Sequence, residues 1–301
     1  MNLLLYLLVV VIWGTTWIAI KMQLGAVAIP LSIAYRFGLA AVLLFLILAW
    51  RGRLARPRGR AAVLVAAQGL CLFCLNFLCF YHASRWIPSG LVAVVFSTAP
   101  LWNAFNGRVF LGRAVSRRVL AGAVLGLVGI VALFSPEWGH TGSHTVLGLL
   151  LALGGTLCFS AGNLLSGALQ ARGLLPLQTN AWAMLVGTVI LLTGSLAAGV
   201  PLTMQWSASY LGALLYLAVP GSVIGFTAYL MLVGRLGAER AAYSTVLFPV
   251  VSLNISAWLE GYHWTALAWC GLVLVMLGNV LVFARWRGPT ATPALAPQQK
   301  G

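Results

Sequence analysis

The sequence predicts an all-α, polytopic membrane protein: ten transmembrane helices arranged as two inverted five-helix repeats. Three observations carry that expectation. The 301-residue chain is 61% hydrophobic and 7% charged, with only three acidic residues. That is more apolar surface than a soluble domain can bury beneath a polar exterior. Apolar stretches, each long enough to cross a ~30 Å hydrocarbon core, recur at 3–23, 28–50, 61–84, 88–108, 119–135, 146–169, 176–198, 208–232, 240–258 and 264–284. Finally, the second half of the chain repeats the first.

The repeat is clearest where LAGAVLGLVGIVALF (120–134) is set over WCGLVLVMLGNVLVF (269–283). Gly122 falls on Gly271, Val124 on Val273, Leu125 on Leu274, Gly129 on Gly278, Val131 on Val280 and Phe134 on Phe283. The same offset of 149 residues places Phe77 on Phe226 and Pro100 on Pro249. The chain therefore divides into a first repeat at 1–140 and a second at 141–287, with a disordered cytoplasmic tail expected at 288–301. Five spans are an odd number, so the second copy starts from the opposite side of the bilayer. Inverted repeats of this kind are characteristic of secondary transporters.

Each span is joined to the next by a short connection, and the charges sit in those connections. Loop 51–60 (RGRLARPRGR) carries five arginines and segment 108–118 carries Arg108, Arg113, Arg117 and Arg118. Arg172, Arg235, Arg240, Arg285, Arg287 and Lys300 complete fifteen cations on one side, against Arg85 alone in the opposite loops. Positive charge is retained in the cytoplasm, so both termini are expected there, in a bacterial-type inner membrane. The net charge of +15 is then a record of topology and implies no nucleic-acid partner. The first span has no basic segment ahead of it and no small-x-small cleavage site before Lys21, and so reads as a retained helix.

Metal and redox chemistry find little support. The five cysteines all fall within spans, and Cys71-x-x-Cys74 has no second pair to complete a four-ligand zinc site. Glu137, His140 and His144 in PEWGHTGSH read as a solvated turn. No cofactor or metal is expected. An intramembrane enzyme would need a nucleophile with its base, paired carboxylates or a metal cluster, and no span supplies one.

Polar residues inside the spans point instead to a pathway. On the first helix Trp13, Trp17 and Lys21 recur every four residues and share one sector with Thr16. Such a stripe suits the wall of a polar pathway, or else an interhelical seam ending in a snorkelling lysine. Arg36 lies six residues past Pro30, roughly 9 Å into its span, where a charge facing hydrocarbon costs ~3 kcal/mol or more. It must point inward, either as an anchor bonded to carbonyls or as a clamp for substrate. Asn76, Tyr81, His82, Asn103, Asn163 and Tyr229 are further pathway candidates at comparable depths. Pro100 and Pro249 each free a carbonyl four residues earlier, and paired helix breaks are the best pointer to a midplane site.

WGTTWIAIK (13–21), YRFGLAA (35–41), SRWIPSGLVAVVFSTAPLW (84–102) and FLGRAVSRRVLAGAVLGLVGIVALF (110–134) resemble the EamA-type members of the drug/metabolite transporter superfamily. The resemblance covers residues 1–285 and implies ten spans, two repeats and export of amino acids or other small metabolites. One departure stands out. The family's acidic residue after FLG is here Arg113, while the second repeat carries Glu260 in WLEG.

The function expected from these readings is a carrier working by alternating access on amino acids or related carboxylates. Drug-like or nucleotide-type metabolites are the alternative cargo, and a channel is a weaker one. The partners are a small-molecule substrate and the lipid bilayer, with the protein a monomer or homodimer. Lys21 and Arg36 have no acid within the spans, so their anion is expected either from the cargo or from Glu137 or Glu260. The chain has no aspartate, and its glutamates lie at span ends or in loops. Facilitated efflux is therefore expected, with His82 a hydrogen-bonding pathway residue or a satisfied interface histidine.

Overall fold

In the computed structural model residues 2–25, 27–135 and 143–283 are described, and among them every regular element is a helix. The first three are α1 (Asn2–Met22), α2 (Ile29–Trp50) and α3 (Arg60–Trp86). Then come α4 (Ser89–Phe96), α5 (Ala99–Leu111), α6 (Arg117–Leu133), α7 (Ser143–Gln170) and α8 (Pro176–Ala197). The last are α9 (Ala208–Leu236), α10 (Phe248–Leu259) and α11 (Ala266–Phe283). Six of them (α1, α2, α3, α7, α8 and α9) are long and apolar enough to cross a bilayer. The other four expected spans fall on shorter helices.

The shorter helices have local causes. Between α4 and α5 the hydroxyls of Ser97 and Thr98 bond back to Val94 O and Val95 O, each at 2.6 Å. Pro100 then stands in the first turn of α5, where its missing N–H costs nothing. The second break is similar. A 3-10 turn, Ala242–Leu247, leads into α10 with Pro249 in its first turn. The two breaks touch, Thr245 Oγ1 donating to Ser97 O at 3.4 Å.

Two long helices carry a different distortion. α3 passes through a π-helical segment at Leu70–Leu75, and α9 through another at Leu217–Ile224 containing Pro220. A π turn widens the helix by one residue and frees carbonyls. The 149-residue offset that aligns the two halves carries 70–75 onto 219–224, inside the second segment.

The loops gather at two ends. At one end Arg235 Nη1 donates to Asn2 Oδ1 at 3.2 Å, and the arginine-rich loop is pinned to α8 by Gln178 and Trp182. At the other end lie Lys21, Arg85, Ser89 and Glu260. Glu137, His140 and the tail lie outside the described residues.

A close helix crossing joins α6 and α11. A Cβ built on Gly129 would lie 2.6 Å from Gly271 O, and one on Gly278 would lie 2.6 Å from Gly122 O. Gly122 with Gly278 and Gly129 with Gly271 are thus reciprocal contacts, so the helices run antiparallel and approach backbone to backbone. Gly271→Val is expected to lower the thermal-unfolding midpoint of the purified protein, since overpacking here costs about 1–3 kcal/mol. Gly212→Val, where no heavy atom stands within 4 Å of the added Cβ, should leave it nearly unchanged.

Candidate functional site

α1 reaches the middle of the molecule beside the π segment of α9, and two glycines of α9 admit it. A Cβ on Gly225 would stand 2.4 Å from Trp13 Nε1, and one on Gly221 would stand 3.0 Å from Thr16 Cγ2. In that space Trp13 Nε1 donates to Gly221 O at 3.0 Å. Its ring lies 4.7 Å from Phe226, 5.0 Å from Tyr229 and 6.0 Å from Phe159. Trp17, one turn on, meets Phe80 and Phe96 edge-on or tilted, both at 5.3 Å. Thr16 and Thr15 bond back to their own helix, and Thr15 also bonds the Tyr216 hydroxyl.

Arg36 enters from α2 and is 2% exposed. Its Nε donates to Ser222 Oγ at 3.0 Å. Ser222 in turn donates to Leu217 O at 2.8 Å, five residues back along the π segment. The guanidinium carbon lies 4.4 Å from the centre of the Phe77 ring and 5.0 Å from that of Phe37. Cation–π contact offsets part of the desolvation cost. Among the described residues no carboxylate pairs with it, and Nη1 has no partner.

These groups surround one small cavity of about 30 Å³, lined by Trp13, Thr16, Trp17, Arg36 and Asn76, with Ile20 and five phenylalanines completing the wall. Asn76 follows the π segment of α3, is buried, and has no partner at either Nδ2 or Oδ1. Trp17 Nε1 is likewise unpartnered. Three buried side chains with unused hydrogen-bonding capacity thus face the same cavity. An unpartnered buried polar group costs about 1–3 kcal/mol, so a cavity where three of them converge favours a polar occupant. The donor set suits a carboxylate, which Arg36 can hold with directional, charge-assisted bonds. The aromatic wall suits an apolar side chain or an ammonium group.

Layers close the cavity on both sides. Toward the arginine-rich end, Tyr229 packs on Trp13 and Phe159, and its hydroxyl accepts from Asn163 Nδ2 at 3.0 Å. Asn163 also lines a vestibule of about 640 Å³ that holds Arg113, Gln170 and Gly237. Toward the other end, Tyr81 donates to Gln23 Oε1 at 2.6 Å. Beyond it, Lys21 borders a second vestibule.

Three expected pathway residues lie elsewhere. Lys21 lies at the far end from the cavity with an anion of this chain beside it: its Nζ is 3.6 Å from Glu260 Oε1 and donates to Ser84 O at 2.7 Å. His82 does not line the cavity and shares its partly exposed helix face with Leu75 and Cys79. Asn103 Nδ2 donates to Ala238 O at 3.2 Å, tying α5 to the turn after α9. Glu260 is also not the positional match of Arg113, because the 149-residue offset sets Leu111 against Glu260 and Tyr262 against Arg113. Sequence reasoning missed Ser222, Gly221, Gly225 and Gln23. Of the missed aromatic wall, only Phe77 and Phe226 carried a signal, as a repeat-matched pair.

A helical membrane body with an aromatic pocket bearing a buried arginine, between two vestibules, is the architecture of a transporter. The chain matches the EamA-like transporter family over residues 1–135 and again over 146–284, and it belongs to that family. The uncharacterized inner membrane transporter YedA of Escherichia coli K12 is 30% identical over 291 residues, covering 95% of this chain and 92% of YedA. A probable amino-acid metabolite efflux pump of the same organism is 29% identical, covering 94% of this chain and 95% of the relative. One solved crystal structure superposes with a TM-score of 0.68 at 18% identity, over 93% of this chain and 95% of that one; this likeness concerns the fold.

Asn76→Leu separates binding from folding. Removing two unsatisfied polar atoms at near-constant volume should raise the thermal-unfolding midpoint by about 2 °C or more, while transport in proteoliposomes falls. A lowered midpoint would mean that Asn76 is part of the scaffold.

Proposed function

We propose that this chain exports small carboxylate-bearing metabolites, amino acids foremost, across the bacterial inner membrane by alternating access around Arg36. One observation carries the reading: a buried guanidinium with a free Nη1 and, among the described residues, no carboxylate partner, sharing an aromatic cavity with the unsatisfied Asn76 and Trp17. The name of the efflux-pump relative agrees with it. The cargo carboxylate occupies Arg36 and Asn76, and its side chain lies against Trp13, Trp17 and the phenylalanines.

Alternating access follows from the size of the cavity and the pattern of the halves. About 30 Å³ holds a water or two, so an amino acid enters only if the surrounding helices part. The repeat-matched π segments and the prolines that open α5 and α10 are the places where helices bend at least cost. The reciprocal glycine crossing of α6 and α11 fits ten spans in two inverted repeats, the second related to the first by a pseudo-two-fold axis. Opening the Tyr229–Asn163 layer exposes the site to one vestibule, and opening the Tyr81–Gln23 layer exposes it to the other. With no aspartate in the chain and with Glu260 held at the cap of α4, away from the central cavity, no described carboxylate stands ready to couple protons there, and cargo moves down its own gradient.

Two experiments test the proposal. Counterflow in proteoliposomes, screened over amino acids, purines and cationic drugs, should show saturable exchange of amino acids. Arg36→Gln should then weaken affinity for carboxylate cargo by about tenfold or more, a larger loss than in Trp17→Phe. Undiminished affinity in a folded Arg36→Gln protein rejects the clamp. The orientation has its own test: Ala55→Cys should resist an impermeant thiol reagent added outside intact cells, because the arginine-rich end is cytoplasmic.

A further inference from the structure

The end of the molecule opposite the arginine-rich loops holds a vestibule of about 560 Å³, bordered by Lys21, Arg85, Trp86 and Glu260. That volume is within the ~300–1,000 Å³ range of small-molecule sites. Its charges are arranged in an unusual way. Glu260, 8% exposed, accepts from Ser89 N at 3.2 Å (Oε1) and 3.0 Å (Oε2), and Oε2 also accepts from the hydroxyls of Ser89 and Ser256. Ser256 Oγ is itself fixed by Gly90 N at 2.7 Å. The carboxylate is therefore held as the cap of α4 without help from Lys21, and Oε1 keeps acceptor capacity beyond its one long bond.

Lys21 has capacity to spare as well. Its side chain is 36% exposed, and its ammonium stands 3.6 Å from Glu260 Oε1, at ion-pair distance, and gives one of its three donors to Ser84 O at 2.7 Å. Arg85 is exposed on the same wall. Trp86 is stacked on His144 at 4.3 Å, which fixes the ring that borders the cavity. The wall thus presents one immobilised anion beside two cations with unused donors, over an aromatic surface.

We infer that this vestibule is a second binding station for the cargo, and that it recognises an α-amino acid as a zwitterion. Lys21 and Arg85 take the carboxylate, and Glu260 takes the α-ammonium. The central cavity, whose one formal charge among the described residues is Arg36, selects for the carboxylate; the vestibule adds selection for the amine. The inference rests on the transport reading above and deepens it. It also gives Glu260 a ligand-reading role beyond capping α4.

The test measures half-saturation separately from each face of oriented proteoliposomes, with leucine and its 2-hydroxy analogue as probes. From the vestibule face the wild-type protein should prefer leucine. Glu260→Gln, which keeps an acceptor for Ser89 N, should reduce that preference by about tenfold. Arg85→Gln should raise half-saturation for both probes. From the arginine-rich face both variants should behave as wild type. Wild-type half-saturation at the vestibule face in Arg85→Gln and in a folded Glu260→Gln protein overturns the station, and if Arg36→Gln still impairs exchange, the transport reading survives. Should Glu260→Gln lose its fold with its cap, Arg85→Gln, on an exposed side chain, decides alone. Absence of amino-acid exchange in the wild-type protein overturns both readings together.

Discussion

Everything at the centre of this protein is arranged around a buried charge, Arg36, that meets no carboxylate among the described residues. Arg36 is buried among phenylalanines, held at one nitrogen by Ser222 and on its faces by Phe77 and Phe37, with a second nitrogen left open. Burying an unpaired ion costs several kcal/mol, even after relaxation. A chain selected only for stability would replace it with an apolar side chain. Its retention makes sense where a bound anion completes the pair and the binding energy drives a change of shape.

The surroundings of Arg36 depend on distortions of the helices. Ser222 can accept from Arg36 and donate to Leu217 O because α9 is π-helical there. Gly221 and Gly225, in and just after that segment, make room for Trp13 and Thr16. On the opposite side Asn76 follows directly on the π segment of α3. An ideal helix in either place would withdraw these contacts. The same irregularities are weak points in the hydrogen-bond ladder, so the features that build the site also suit it to hinge motion.

Much of this was legible in the sequence, and the rest was hidden for physical reasons. Composition and apolar runs announced a helical membrane protein, because lipid leaves the backbone few other options. Prolines at 100 and 249 marked the starts of α5 and α10, since a proline tolerates the first turn of a helix and little else in it. Trp13, Thr16, Trp17, Arg36 and Asn76 were all singled out from depth and polarity, and they meet at one cavity. The π segments were not legible, because Leu70–Leu75 and Leu217–Ile224 read as ordinary apolar helix. His82 and Asn103 were singled out by depth alone, which says nothing of helix face. The partner of Lys21 was undecided in sequence, because Glu260 lies far along the chain and at a span end; packing of α1, α4 and α10 decides it.

The account predicts where the cargo's carboxylate sits. An experimental structure with an exchanged amino acid bound tests this most directly. The carboxylate should lie within about 3 Å of Arg36 Nη1, with Asn76 completing its hydrogen bonds and the side chain against Trp13 and Trp17. A cargo molecule bound elsewhere, with Arg36 Nη1 still without a partner, would contradict the claim that this buried guanidinium is the substrate clamp.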